Sequence, residues 1–384
     1  MSQFNMLSFN GRICLGPGSV AQLGSVLREA DVQKCLVVTD EVLMQVGVTP
    51  RAVESIQRAG VTAEIFDKVL PDPPSAMIAA GVDRFASAGC DAIVAVGGGS
   101  SIDTAKGIGI VAANGGKIMD YEGVDKVDKP LPLFAAVPTT YGSGSEASAF
   151  AIITDESRNF KAAIGSRYII PDIALVDSDL MKGLPKGLSA SVMLDALSHA
   201  IESYVSRLAQ PISDGLALRA MTLIAENLDE VLSGSDDDDA ILAAATASCM
   251  GGMAFSQTRL GLVHAMAHPF GAYFHVPHGV TCALLLPPVM QFNCIEVPGR
   301  FADIAAALGD ATDGADDQVA AQRSVQMVTQ MVARAQIPLK LSEFGVKTSD
   351  LGKMADDTML SGNVKINPRS STRQQIVEIF ESCL

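Results

Sequence analysis

Through the first half of the chain, short apolar runs alternate with longer runs of helical spacing. Cys35–Thr39 (CLVVT), Ala63–Phe66, Ala92–Val96 (AIVAV), Leu133–Val137 (LFAAV) and Ile173–Val176 read as strands, and Ser19–Ala30 and Ser75–Ala88 as helices. Continuous apolar strands separated by helices predict a doubly wound parallel sheet buried on both faces. Leu7–Leu15 is expected to add a short antiparallel hairpin. The texture changes after the GLPKG run at 183–187. Alanine- and leucine-rich stretches then dominate, at Ser189–Ser206, Ser213–Leu232, Asp239–Ala254, Gly299–Leu308 and Gln318–Ala335. The expected architecture is an α/β domain over residues 1–185 and an all-helical domain over 186–384. Asp236–Asp239 fit a solvated loop leading into a helix N-terminus, where negative charge suits the dipole.

Composition narrows the function. The chain has 384 residues, 48% of them hydrophobic and 18% charged, enough for two cores. A net charge of -15 argues against nucleic-acid binding through phosphates. No run of about 18 to 20 apolar residues suggests a membrane span. The start lacks the basic and apolar regions of a signal peptide, so a cytoplasmic location is expected. Seven cysteines with no C-x-x-C pattern read as reduced thiols, some of them small core residues. All five histidines lie between His199 and His278, a clustering that suggests a site.

Two segments of the α/β half point to a nucleotide. In DAIVAVGGGSSIDTAK a strand runs through Gly97, Gly98 and Gly99 into a helix that Ser100 and Ser101 can cap. The loop is either a tight turn or a helix start facing a pyrophosphate. It is not a Walker A loop, nor G-x-G-x-x-G. Asp40 ends the CLVVTD run, where a carboxylate can accept from an adenosine ribose, cap the next helix, or both. The polar run PTTYGSGSE, with Thr139 and Thr140, follows another strand at the ligand-binding end of such a sheet. Gly16–Ala21 has G-x-G-x-x-A spacing but reads as a loop with a helix cap.

The helical half carries the metal-ligand chemistry. Asp195 and His199 are four apart, as are His264 and His268, and His278 stands between Pro277 and Gly279. Spacing of four puts each pair on one helical face. Either pair alone reads as an ordinary helix contact. Together, three imidazoles and a carboxylate make a sound divalent-cation set, which both iron(II) and zinc(II) accept.

The histidine motif with its P-H-G ending closely resembles the signature of the iron-containing (group III) alcohol dehydrogenases. The Asp195/His199 segment, GGGSSIDTAK, PTTYGSGSE and Asn367-Pro368-Arg369 match that family in order, over nearly the whole chain. The resemblance implies a dinucleotide domain and a helical metal domain, with the active site in the cleft between them. It implies that Asp195, His199, His264 and His278 hold the metal, iron(II) by family expectation. It further implies that His268 lies near the nicotinamide and the reacting oxygen, and that Lys161 contacts the cofactor. Tyr141 and Met193 depart from the family pattern and add bulk. The implied activity is hydride transfer between NAD(H) and a small alcohol or aldehyde, in a homodimer or larger homo-oligomer. A polyol (glycerol-type) dehydrogenase and a dehydroquinate synthase-like enzyme share the architecture. A metal-dependent hydrolase would leave the glycine loop purely structural, and a metal-storage protein fits poorly with such a loop. Lys365 reads as a surface lysine, or as one that favours an anionic aldehyde.

Overall fold

The computed structural model describes residues 9, 11–311, 314 and 316–384. Two compact units divide the chain near Lys182–Gly183. In the first, nine strands are present among the described residues: β1 (Arg12–Leu15), β2 (Lys34–Val38), β3 (Thr62–Phe66), β4 (Ala92–Gly97), β5 (Gly123–Val124), β6 (Leu133–Pro138), β7 (Phe150–Asp155), β8 (Phe160–Gly165) and β9 (Ile173–Val176). Six of them form a wholly parallel sheet in the order β1-β9-β6-β4-β2-β3. The helices are α1 (Leu23–Glu29), α2 (Glu41–Gln45), α3 (Val48–Arg58), α4 (Ser75–Ala88) and α5 (Gly99–Asn114).

Why the strands read as unbroken apolar runs is visible in the packing. Leu36, Val38, Ile93, Ala95 and Phe134 meet Met77, Ile78, Ile102 and Ile108 on one face. Their neighbours Cys35, Val37, Val94 and Ala135 meet Leu23, Leu27, Ala52 and Ile56 on the other. Every position of a central strand is therefore buried, which removes the period-two alternation of a half-exposed sheet. From β2 the chain winds outward to β3, then returns to β4 on β2's other side. That reversal places a topological switch point between the carboxyl ends of β2 and β4, where such sheets bind ligands.

Three local expectations need correction. The N-terminal hairpin is absent from the described residues. Arg12–Leu15 is instead an edge strand paired parallel to β9, and residues 7, 8 and 10 of the expected segment lie outside the described ones. The region after the PTTYGSGSE run contains an antiparallel pair, β7 with β8, extended by β5 into a second sheet. Ser19–Ala30 is a 3-10 turn, Ser19–Gln22, followed by α1.

The second unit is helical: α6 (Lys186–Val205), α7 (Pro211–Ser233), α8 (Asp238–Thr258), α9 (Leu262–Phe274), α10 (His278–Asn293), α11 (Pro298–Ala307), α12 (Asp317–Arg334), α13 (Thr348–Leu360) and α14 (Arg373–Ser382). Asp237 caps α8 by accepting from Ala240 N–H at 2.8 Å. By length and composition α8 could cross a membrane, but 61% of that stretch is buried within the protein. It packs with α6 and α7 as a core helix. From Ser189 to Val205, α6 is buried at every position but Val192. A helix enclosed in this way can present polar groups inward only if they are paired or hold an ion.

Candidate active site

In the α/β unit, the glycine loop and the Thr139–Thr140 segment leave adjacent parallel strands, with Gly97 paired to Pro138 in register. Thr139 N–H donates to Gly97 O at 3.1 Å. Gly97 has φ +152°, and a Cβ there would lie 2.3 Å from Ser101 Oγ. Only glycine makes this turn. The helix cap differs from expectation. Gly98 is the N-cap of α5 and no side chain caps it; Ser100 and Ser101 lie inside the first turn. Ser101 N–H donates to Gly98 O at 3.1 Å, and the N–H groups of Gly99 and Ser100 are left to an external acceptor, the arrangement that binds phosphate. By contrast, the N–H groups of Gly18 and Val20 donate to the two carboxylate oxygens of buried Asp177, each at 2.9 Å. The G-x-G-x-x-A fragment is thus closed by the protein's own anion, as its reading as a capped loop required.

A buried charge cluster ties α5 to the PTTYGSGSE loop. Lys106, fully buried, donates from Nζ to Ser145 O, Ser148 O and Phe150 O at 2.7–2.9 Å and to the Ser145 and Ser148 hydroxyls. Asp103 accepts from Ser145 Oγ at 2.6 Å and Ile152 N–H at 2.9 Å. Burial lowers the Lys106 ammonium to about 8, against the opposing pull of Asp103 and Glu146, and raises Glu146 to about 7. Such a cluster is costly unless fully hydrogen-bonded, so it rigidifies the loop it braces.

Asp40 is the N-cap of α2, accepting from Leu43 N–H at 2.9 Å through Oδ1. It also forms a backbone bridge to Lys68, a basic residue distant in sequence. The Lys68 ammonium is engaged by Glu41 at 2.6 Å. Lys161 lies on β8, and its buried ammonium donates to Asp72 Oδ1 at 2.6 Å. Tyr141 and Met193 are both buried, and Lys365 is exposed.

In the helical unit, α6, α9 and α10 bring their polar groups to one point. Asp195 and His199 come from α6, His264 and His268 from α9, and His278 from the start of α10. The P-H-G glycine has a steric reason. A Cβ on Gly279 would fall 2.4 Å from Ser191 O. Its absence lets the first turn of α10 lie against the α6 backbone and puts His278 beside Asp195. Asp195 Oδ1 has the Nε2 atoms of His199, His264 and His278 at 3.9, 3.7 and 3.8 Å. That oxygen is buried and has no hydrogen-bond partner. Burial pushes the Asp195 carboxyl up, yet the three imidazoles outweigh it and hold it well below the usual carboxylate range. The His199 and His264 rings stack with centroids 4.7 Å apart. His268 stands beside this group, its ring 6.5 Å from that of His264 and 5.9 Å from that of His278, and is half-buried. The fifth histidine, His275, ends α9 in the left-handed conformation and is exposed.

Two members of the site escaped the sequence reading. Buried Glu202 accepts from His264 Nδ1 at 2.6 Å through one oxygen and from Val263 N–H at 2.6 Å through the other. Such a carboxylate fixes the ring and turns its Nε2 inward, as in carboxylate–histidine–metal triads. Burial alone would depress the His264 imidazole, but Cys282, Asp195 and Glu202 raise it well above its ordinary value. Cys282, four residues after His278, is the other. Its Sγ lies 3.7 Å from His264 Nε2 and 3.6 Å from His278 Nε2, and burial pushes the thiol up to about 11. One donor atom each from Asp195, His264, His278 and Cys282 fall within 4.8 Å of one another, a grouping fit for a metal ion. The Asn367-Pro368-Arg369 motif braces the same region. Buried Asn367 accepts from Leu262 N–H at 3.2 Å, at the start of α9, and exchanges hydrogen bonds with Asn293 at the end of α10.

Comparison with known proteins meets this geometry. Residues 10–178 match the family model for iron-containing alcohol dehydrogenase, and residues 189–384 match its C-terminal counterpart. The chain belongs to the iron-containing alcohol dehydrogenase family. It is 40% identical to an NAD-dependent methanol dehydrogenase of Bacillus methanolicus, with 96% of this chain and 97% of that protein aligned. It is 35% identical to a lactaldehyde reductase of Escherichia coli K12, over 98% and 99% of the two chains. A crystal structure of a 1,3-propanediol oxidoreductase superposes with a TM-score of 0.97 at 36% identity, covering all of both chains. The chain is therefore an oxidoreductase of alcohols and aldehydes, with the two-part fold of its family. Its Asp and His donors form a site able to take a metal.

Proposed function

We propose that this enzyme transfers hydride between NAD(H) and a small primary alcohol or its aldehyde, with one divalent ion held by Asp195, His199, His264 and His278. The observation that carries the reading is the buried Asp195 Oδ1, which lacks a hydrogen bond yet faces three imidazole nitrogens at 3.7–3.9 Å. A cation among these four groups satisfies all of them at once. The ion supplies Lewis-acid stabilisation of negative charge on the substrate oxygen, and the nicotinamide supplies the hydride. The protein's own groups do the rest. The uncapped start of α5 takes the pyrophosphate, Thr139 and Thr140 border it, and Lys161 helps to hold the cofactor. His268, beside the ligand group but outside it, moves the proton to or from the substrate oxygen. Iron(II) follows the family description. A homo-oligomer working in the cytoplasm belongs to the same proposal.

Cofactor preference follows from Asp40. Its carboxylate follows β2 at the switch point, where it can accept from ribose hydroxyls and would repel a 2′-phosphate. Lys68 is close enough to matter, but its charge is already shared with Glu41 and Asp67. An aldehyde panel followed by NADH and NADPH absorbance tests both substrate class and cofactor. The parent is expected to favour NADH in kcat/KM, and Asp40→Gly to gain on NADPH by about tenfold or more, about 1.4 kcal/mol. A parent that prefers NADPH, or a variant with an unchanged ratio, would reduce Asp40 to its capping role.

A further inference from the structure

Between its Asp and His groups the metal site holds one further donor. Cys282 is fully buried on α10, one turn beyond His278 on the same face. Its sulfur is 3.6–3.7 Å from two imidazole nitrogens of the site, and it falls within the same 4.8 Å grouping as the Asp195 carboxylate. Sulfur at about 2.3 Å and nitrogen at about 2.0 Å from one ion, at a bond angle of about 110°, would stand about 3.5 Å apart. The observed separations fit that arrangement.

An ordinary thiol hydrogen bond does not account for the surroundings. Glu202 accepts from His264 at Nδ1, which aims Nε2 inward, toward both Cys282 and Asp195, so that a bound ion would take the place of the proton this nitrogen otherwise carries. The Asp195 oxygen there is unpartnered. A single S–H proton can satisfy one acceptor, whereas a carboxylate oxygen, the sulfur and two inward-facing imidazole nitrogens converge on this space. A cation reconciles them, and the sulfur is placed to share it.

We propose that Cys282 is a direct ligand of the divalent ion, making this site a mixed carboxylate, imidazole and thiolate centre. The inference rests on the metal-site reading above. Loading exchanges the thiol proton, which leaves to solvent, for one sulfur–metal bond, and no electrons are transferred. Thiolate is a soft donor, so Cys282 shifts the preference of the site from iron(II) toward zinc.

The test is the zinc-edge X-ray absorption spectrum of the zinc-loaded full-length protein, which needs no variant. One sulfur scatterer at about 2.3 Å beside nitrogen and oxygen at about 2.0 Å is expected. Cys282→Ser should lose the sulfur shell and hold zinc on the order of tenfold more weakly, with Cys383→Ser unchanged in both. Zinc bound through nitrogen and oxygen alone would overturn the thiolate ligand while leaving the metal site in place. A sulfur shell that survives Cys282→Ser would overturn it too, by assigning the sulfur to another cysteine. A protein that retains no zinc would overturn the metal site itself and this ligand with it.

Discussion

His264→Ala is expected to lose bound metal and activity together, with kcat/KM falling at least about a thousandfold, about 4 kcal/mol of transition-state stabilisation. His264 is the hub of the site. Its Nδ1 is anchored by Glu202, its Nε2 faces Asp195 and Cys282, and its ring stacks on His199. Truncation removes a donor and strands a buried carboxylate, so the remaining groups hold an ion poorly. The decisive comparison is His268→Ala. Its ring stands outside the ligand group, so the variant is expected to keep its metal while turnover falls on the order of a hundredfold or more, the contribution of a positioned proton donor. Elemental analysis and steady-state kinetics on both variants check this. Equal metal loss in the two would mean that the histidine roles are exchanged.

How far the chain discloses its site can be followed residue by residue. Asp195/His199 and His264/His268 are legible because a spacing of four puts two polar groups on one face of an otherwise apolar helix. Glu202 sits on that same α6 face, seven residues past Asp195. A glutamate on a helix ordinarily reads as solvated, however, and only the packing of α9 against α6 encloses it. Cys282 repeats the spacing of four after His278, but a buried cysteine reads first as a small core residue. The central strands were legible because burial on both faces makes them continuous apolar runs. The β7–β8 pair was not. Its strands follow a polar loop and are split by a charged turn at Glu156–Asn159, so no long run marks them. The cap of α5 misled for a different reason: serines after the glycines suggest capping, whereas the helix begins one residue before them.

The second large effect is expected from Glu202→Gln. The carboxylate accepts two hydrogen bonds, one from an imidazole and one from a backbone N–H, both at 2.6 Å. A glutamine can accept only one of them, and its NH2 group then faces the other donor in a buried site. Losing a hydrogen bond to a charged group costs about 1.5–3 kcal/mol. The loss falls on the orientation of His264, so metal affinity should drop by about tenfold to a hundredfold. Restoring activity with excess metal would mark Glu202 as a positioning residue, since its side chain touches the ligand and not the ion. Full activity at limiting metal would contradict that role.

The central claim is that this chain reduces aldehydes only with a divalent ion at the Asp195 site. Its most direct test is the turnover of protein stripped by a chelator and shown by elemental analysis to be metal-free. That protein is expected to remain folded, to bind NADH, and to show no aldehyde-dependent NADH oxidation until iron(II) or zinc(II) is returned in stoichiometric amount. Full turnover by the metal-free protein would contradict it.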